Sequence, residues 1–300
     1  MKGVVTAIGT PLSRDEIVDE PGLRRLIQYV LSANVDGILV NGSMGGFAFL
    51  TDQEQLRAIS IVTSEVNGRI PVIGGLGETG TKRAVHKAKQ FAQEGIDYLS
   101  LLPPFYFMTA QTQLVTYFSE IAAAVDVPLI LYDNPLLTKV HIEPNTVVEL
   151  RGKIPNLAGI KVSNSDSNNL QTLLSLLKND PTFFILTGSE SLFLVGLQMG
   201  CQGGVGGLYS VCPHLAVEMY RAFSSGNLER AREIQQQLIE IWQLFRFGDV
   251  WGGFDEALRY LGICESATGS PYSTRVTEKD KEQVQSILKR YLRPVFAPVR

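Results

Sequence analysis

Lys161 holds the most chemical promise in the chain. It stands in Asn156-Leu157-Ala158-Gly159-Ile160-Lys161-Val162-Ser163, a run that predicts a strand. Side chains alternate along a strand, so Lys161 shares a face with Gly159 and Ser163, while Ile160 and Val162 face the other way. A lysine held in a confined, poorly solvated place is harder to protonate. Its amine can then attack a ketone and form an iminium, an electron sink that stabilises a carbanion on the adjacent carbon. The bland alternative is a lysine that reaches solvent at a strand end. An earlier run, Pro128-Leu129-Ile130-Leu131-Tyr132-Asp133-Asn134-Pro135, puts Tyr132 on one face with Ile130 and Asn134. A phenol beside the amine can shuttle protons for carbinolamine formation and for a C–C bond step. A tyrosine there can equally do no more than pack.

These two runs belong to a longer alternation. Strands are predicted at 4–8, 37–41, 71–73, 98–102, 127–132, 158–162, 183–186 and 204–208. Helical patterns follow each: 21–33, a helix after Thr51, 82–93, 114–124, 145–150, 170–178, 192–199 and 215–223. Asp19 or Glu20 starts the first helix, with Pro21 suited to its first turn. Thr51-Asp52-Gln53-Glu54 reads as a capping box. Eight strand–helix units match an α/β fold of the (β/α)8 TIM-barrel kind, spanning 1–224 as the catalytic barrel. An open doubly wound sheet is the structural alternative. Residues 225–300 read as a C-terminal helical appendage packed on the barrel, with helices at 228–245, 254–261 and 278–292. Gly252-Gly253 and 266–273 break it. In such a barrel the site lies at the C-terminal strand ends. With Ile160 and Val162 facing the outer helices, Lys161 points inward.

Composition narrows the field. With 45% hydrophobic and 19% charged residues, the 300-residue chain can fill a large core. Its net charge is −3 and no Lys/Arg run is dense enough for a nucleic-acid patch, so no nucleic-acid partner is expected. No apolar stretch approaches ~18 residues, and Met1-Lys2-Gly3-Val4-Val5-Thr6 leads directly into a strand, so neither membrane span nor secretory signal is expected. An odd set of cysteines (Cys201, Cys212, Cys264) without Cys-x-x-Cys points to a reducing, cytoplasmic setting, with the thiols as small buried hydrophobes. His86, His141 and His214 match no metal spacing. Gly75-Leu76-Gly77-Glu78-Thr79-Gly80 fits Gly-x-Gly-x-x-Gly. It follows the third predicted strand rather than the first, and about 20 residues on stands Ser100, with only Asp97 nearby, so no NAD role is expected.

Several motifs together resemble the dihydrodipicolinate synthase / N-acetylneuraminate lyase family. They are Gly9-Thr10-Pro11 after the first strand, Asn41-Gly42-Ser43-Met44-Gly45-Gly46-Phe47 after the second and Pro103-Pro104-Phe105-Tyr106 after the fourth. The Tyr132-Asp133-Asn134-Pro135 turn and Gly159-Ile160-Lys161 complete the set. The resemblance runs from about Val4 into the C-terminal helices. It implies a Schiff base between Lys161 and a 2-oxo acid, pyruvate foremost, with Tyr132 as proton carrier. It also implies that Ser43 relays protons, together with a Tyr106 that reaches into a neighbouring subunit. The loop at Ser43 and Met44 would hold the substrate carboxylate, and a glycine-rich turn before a helix suits an anion on physical grounds. That loop can also be a plain tight turn, and Tyr106 a packing or interface residue. The family is commonly a homotetramer, a dimer of dimers.

The chain departs from the family pattern in ways that bear on substrate. Met44 replaces a second hydroxyl, leaving only its backbone N–H, and Gly46 replaces a glutamate. Leu137 stands where dihydrodipicolinate synthases carry an arginine for the second substrate's carboxylate, and leucine makes no bidentate ion pair. This argues against that synthase proper and toward sugar-acid lyases and aldolases. The glycine-rich run around Val205 in the eighth strand is lyase-like, and Val205 is counted among the substrate-contacting residues. Glu190 is a candidate for substrate hydroxyls, or simply a carboxylate near a helix start. Gly207 stands where sialic acid lyases carry a serine, which speaks against sialic acid itself. Lys139 occupies a position that is usually glycine. The expected activity is aldol cleavage or condensation with a hydroxylated or otherwise uncharged aldehyde. No metal or organic cofactor is expected, since the iminium is itself the electron sink. A sugar-acid dehydratase on the same lysine and a non-catalytic sugar-acid-binding barrel are the rival readings.

Overall fold

The computed structural model describes residues 1–164, 166–249, 251–272 and 276–297. The first half runs β1 (Gly3–Ala7), α1 (Glu20–Ser32), β2 (Gly37–Val40), α2 (Asp52–Val66), β3 (Val72–Leu76), α3 (Thr81–Gln93), β4 (Tyr98–Leu101) and α4 (Gln111–Ala122). It continues with β5 (Leu129–Asp133), the short α5 (Pro135–Thr138), α6 (Pro144–Lys153), β6 (Leu157–Val162), α7 (Ser167–Leu176), β7 (Phe184–Thr187), α8 (Phe193–Met199), β8 (Gly203–Gly206) and α9 (Pro213–Ser224). Three further helices follow: α10 (Leu228–Trp242), α11 (Gly252–Tyr260) and α12 (Glu278–Tyr291). Every strand pairs in parallel with the next, and β8 closes on β1, which makes a (β/α)8 barrel and not an open sheet.

Strand parity explains the two hydrophobic cores. Val4, Ile38, Val40, Leu129, Leu131, Ile160 and Val162 belong to the outer core with the helices. The residues between them, Val5, Leu39, Ile73, Ile130, Leu186 and Val205, fill the barrel interior. One irregularity matters for the chemistry. Leu129 pairs with Leu157, but Ile130 pairs with Gly159, so β6 carries one extra residue at Ala158. Beyond this bulge Tyr132 is the register partner of Lys161. An unbroken ladder would have set Tyr132 against Ile160.

Helix starts follow the local sequence, with two corrections. Asp19 caps α1 by accepting from Gly22 N–H at 3.1 Å, and Pro21 lies in the first turn. Thr51 accepts from Glu54 N–H at 3.2 Å, which is half of the expected capping box. The other half is missing because the Glu54 carboxylate accepts from Val18 N–H at 2.6 Å, tying α2 to the loop after β1. Gly252 and Gly253 do not break the C-terminal segment; they open α11. A Cβ on Gly253 would run into the Leu244 carbonyl, so glycine lets α11 pack against the short 3-10 turn 243–246. The second expected break, 266–273, is described as far as residue 272; Ser273 lies outside the described residues. No described helix is long and apolar enough to cross a membrane.

Candidate active site

Lys161 and Tyr132 lie side by side at the C-terminal ends of β6 and β5, both buried. The Lys161 Nζ sits 4.0 Å from the centroid of the Tyr132 ring. Gly188, just past β7, leaves the room they need. A Cβ there would meet Lys161 Cε at 2.8 Å and collide with Ser163 Oγ. Ser163 Oγ instead donates to the Gly188 carbonyl at 3.2 Å. Asn134 Nδ2 donates to the Tyr132 hydroxyl at 3.0 Å and orients it. Burial pushes the Tyr132 phenol up. The positive charge of Lys161 and the neighbouring Ser163, Ser43 and Lys161 donors outweigh it, so the phenol lies below its ordinary range.

Facing this pair is the turn after β2. Asn41 adopts a left-handed conformation (φ 54°) and donates from Nδ2 to Gln55 O at 2.9 Å. Gln55 Nε2 in turn donates to the carbonyls of Phe47 and Leu50, so the first turn of α2 fixes the loop. Thr10 Oγ1 donates to Gly45 O at 2.8 Å and ties the loop after β1 to the same turn. Gly46, in place of the family's glutamate, has φ 72° and its missing Cβ makes room for the Phe49 ring. Ser43 Oγ is buried without a hydrogen bond of full geometry, although it lies near enough to the phenol to draw its pKa down. Among the described residues, no group accepts from the Ser43 or Met44 N–H. Two free amides next to an orphaned hydroxyl suit a carboxylate.

Glu190 stands across the hollow on the 3-10 turn after β7. Its Oε1 accepts from Gly207 N–H at 2.8 Å and Leu208 N–H at 3.2 Å, while Oε2 forms no hydrogen bond within the described residues. The buried Gln235 of α10 positions this turn by accepting from Leu194 N–H and donating to the Glu190 carbonyl. Met44 lies over Gly207: a Cβ on Gly207 would clash with Met44 Cγ and meet its Sδ at 3.3 Å.

These groups border one hollow of about 330 Å3. Lys161, Tyr132, Ser43, Met44, Glu190, Val205 and Leu137 all line it, so seven of the eight residues singled out in the sequence come together. Tyr106 does not. It lies outside the hollow with 85% of its surface exposed and an unfavourable φ of 87°. Asn134, Ser163, Gly188 and Gln235 were not singled out as site residues, nor were Trp242, Phe245 and Trp251, whose rings also line the hollow. The one signal that could have found the last group is that Trp242 and Trp251 are the chain's two tryptophans. A wider hollow of about 570 Å3, between the loop after β1 and the C-terminal helices, is lined by charges of both signs and contains neither Lys161 nor Tyr132.

The remaining candidates stay apart. The three thiols are buried, and burial pushes that of Cys201 up to about 12. No cluster of His, Cys, Asp and Glu with the makings of a metal site forms among the described residues.

Comparison with known proteins places this geometry. The model of the dihydrodipicolinate synthetase family matches residues 1–291. The chain is similar to the 4-hydroxy-tetrahydrodipicolinate synthase of Methanopyrus kandleri, at 35% identity over 242 residues and 80% of each chain. Dihydrodipicolinate synthase from Aquifex aeolicus has a similar structure, with a TM-score of 0.92 at 28% identity over 99% of this chain and 100% of the other. So does YagE from E. coli K12, a prophage protein of the dihydrodipicolinic acid synthase family solved in complex with pyruvate. Its TM-score is 0.91 at 26% identity, over 97% and 98% of the two chains.

Proposed function

The chain belongs to the dihydrodipicolinate synthetase family of class I aldolases and lyases, and from this we propose that Lys161 forms a Schiff base with pyruvate and makes or breaks a C–C bond to an aldehyde. The observation that carries the reading is the buried Lys161 amine against the Tyr132 ring, within one hollow that also holds the unengaged Ser43 and Met44 amides. The pyruvate complex of YagE supports the choice of 2-oxo acid.

In this reading the pyruvate carboxylate takes the Ser43 and Met44 N–H groups. The neutral Lys161 amine attacks C2, and the carbinolamine hydroxyl leaves as water with a proton from Tyr132. The Tyr132 phenolate then takes a C3 proton, which gives an enamine and restores the phenol. C3 then attacks the aldehyde carbon, a C–C bond forms, and the carbonyl π pair becomes an alkoxide that takes a proton from the phenol. Water hydrolyses the iminium, releases a 4-hydroxy-2-oxo acid and restores the amine. Ser43 and the partner subunit's Tyr106 pass protons between Tyr132 and solvent, in a cytoplasmic homotetramer. Glu190 Oε2 accepts from a substrate hydroxyl.

The Methanopyrus kandleri relative bears the name of a synthase, but we assign a different second substrate here. Leu137, which lines the hollow with 60% of its surface exposed, offers no cation to a second carboxylate. The test is borohydride trapping with pyruvate followed by peptide mapping. An adduct on Lys161 is expected. An adduct that forms only with longer 2-oxo sugar acids would redirect the assignment to a dehydratase, and none with any 2-oxo acid would leave a binding barrel.

A further inference from the structure

We propose that the aldehyde partner is an uncharged aromatic aldehyde, seated against a wall that the C-terminal helices build over Lys161. This inference rests on the Schiff-base reading above and narrows it to a substrate class.

The hollow is lined by Trp242 at the end of α10, Phe245 in the 3-10 turn that follows and Trp251 before α11, together with Met44, Leu136 and Leu137. The three rings are half-buried, neither sealed in the core nor free in solvent. They are also held in place. Trp242 meets Phe245 edge-on at 6.0 Å, Phe245 stacks with Phe254 at 6.3 Å, and Trp251 meets Phe49 edge-on at 5.6 Å. Fixed rings lining one hollow present a surface on which a planar, apolar group packs with offset-stacked or edge-to-face contacts.

Charge points the same way. Besides Lys161, whose nitrogen is taken up by the keto acid, Glu190 is the one charged side chain lining the hollow among the described residues. An aldehyde bearing a carboxylate would meet no cation and one like charge. A polyhydroxylated aldehyde would fare little better, because most of the polar side chains at hand are already engaged. Asn134 Nδ2 is given to Tyr132, Ser163 Oγ to Gly188 and Glu190 Oε1 to two amides. With Ser43 Oγ assigned to the proton relay, Asn134 Oδ1 and Glu190 Oε2 remain, enough for one or two ring hydroxyls but not for a polyol chain. Hydroxyls left without partners in an apolar pocket count against binding. The reaction is then attack of the enamine carbon on the aryl aldehyde carbon. A C–C bond forms, the carbonyl π pair takes a proton from Tyr132, and water frees a 4-aryl-4-hydroxy-2-oxobutanoate.

The experiment pairs pyruvate with benzaldehyde, D-glyceraldehyde or succinic semialdehyde and follows the condensation products by mass spectrometry. Borohydride trapping of pyruvate is run on the same preparation. We expect kcat/KM for benzaldehyde to exceed the other two by roughly tenfold or more. Trp251→Ala and Trp242→Ala should raise the KM for benzaldehyde by about tenfold, and Trp251→Phe should recover most of the loss. If Lys161 is trapped but glyceraldehyde or the semialdehyde is preferred, or the alanine variants leave the benzaldehyde KM unchanged, the aromatic assignment falls while the Schiff-base reading stands. If no 2-oxo acid is trapped, both fall together.

Discussion

Two titratable side chains flank the turn after β5, and the fold moves them in different ways. Tyr132 is drawn below the ordinary phenol range, while His141 is raised above the ordinary imidazole value. The cause at His141 is first its hydrogen bond to Asp133, at 2.9 Å; burial opposes it, and the charges of Asp133, Glu143 and Asp166 add to it. A folded-state pKa above the unfolded one means that protonated His141 stabilises the fold in full below about pH 6.5, and that this contribution disappears as pH rises through the raised value. The Tm gap between wild type and His141→Gln should therefore be wider near pH 5.5 than near pH 9. Equal gaps would show that the ion pair contributes nothing. Lys161, Tyr132 and Ser43 were legible in the sequence because strand parity and loop motifs place them without knowledge of distant contacts. Asn134, Ser163 and Gln235 were not, since each acts through a partner that only the folded chain reveals.

At the scale of elements, the alternation of strand and helix was readable because strands buried on both faces are near-continuous apolar runs. The edges slipped for local reasons. β5 begins at Leu129, not Val127, and the intervening Pro128 has no N–H to give a ladder. The Ala158 bulge left no mark in the composition of its strand, yet it aligns Tyr132 with Lys161. Gly159 keeps that segment close to β7, because a Cβ there would collide with the Phe184 ring and lie 2.5 Å from its carbonyl oxygen. Gly159→Ala should cost about 1–3 kcal/mol in denaturant unfolding and reduce trapping at Lys161. Unchanged stability together with full trapping would mean that the strand absorbs the methyl group and that the register does not depend on this contact.

The whole molecule carries an unfinished feature. Tyr106, Phe107 and Met108 form an exposed run, and Tyr106 holds a backbone conformation that costs roughly 1–3 kcal/mol for an ordinary residue. Such a run suits a subunit contact in which Tyr106 enters a neighbour's hollow. Lys161→Ala and Tyr106→Phe proteins, each weak alone, should then regain activity when dissociated and reassociated together, because mixed pairs contain one site with both residues. No gain on mixing, with mixed oligomers present, would confine the site to one chain. The barrel itself could be counted from the sequence. The aromatic lining could not, because Trp242 and Trp251 lie some eighty to ninety positions beyond Lys161, on segments whose apolar residues also serve helix packing.

The contact between Met44 and Gly207 has a historical side. Because Met44 Cγ occupies the space that a Cβ at 207 would need, a side chain at 207 requires the methionine to turn to another rotamer or to be shorter. A lineage that acquired Met44 while carrying a larger residue at 207 would have passed through a crowded intermediate, whereas loss of the side chain at 207 first would have opened a route. Serine at 207 should therefore fit readily once Met44 is shortened, and beside an intact Met44 only if that side chain swings away.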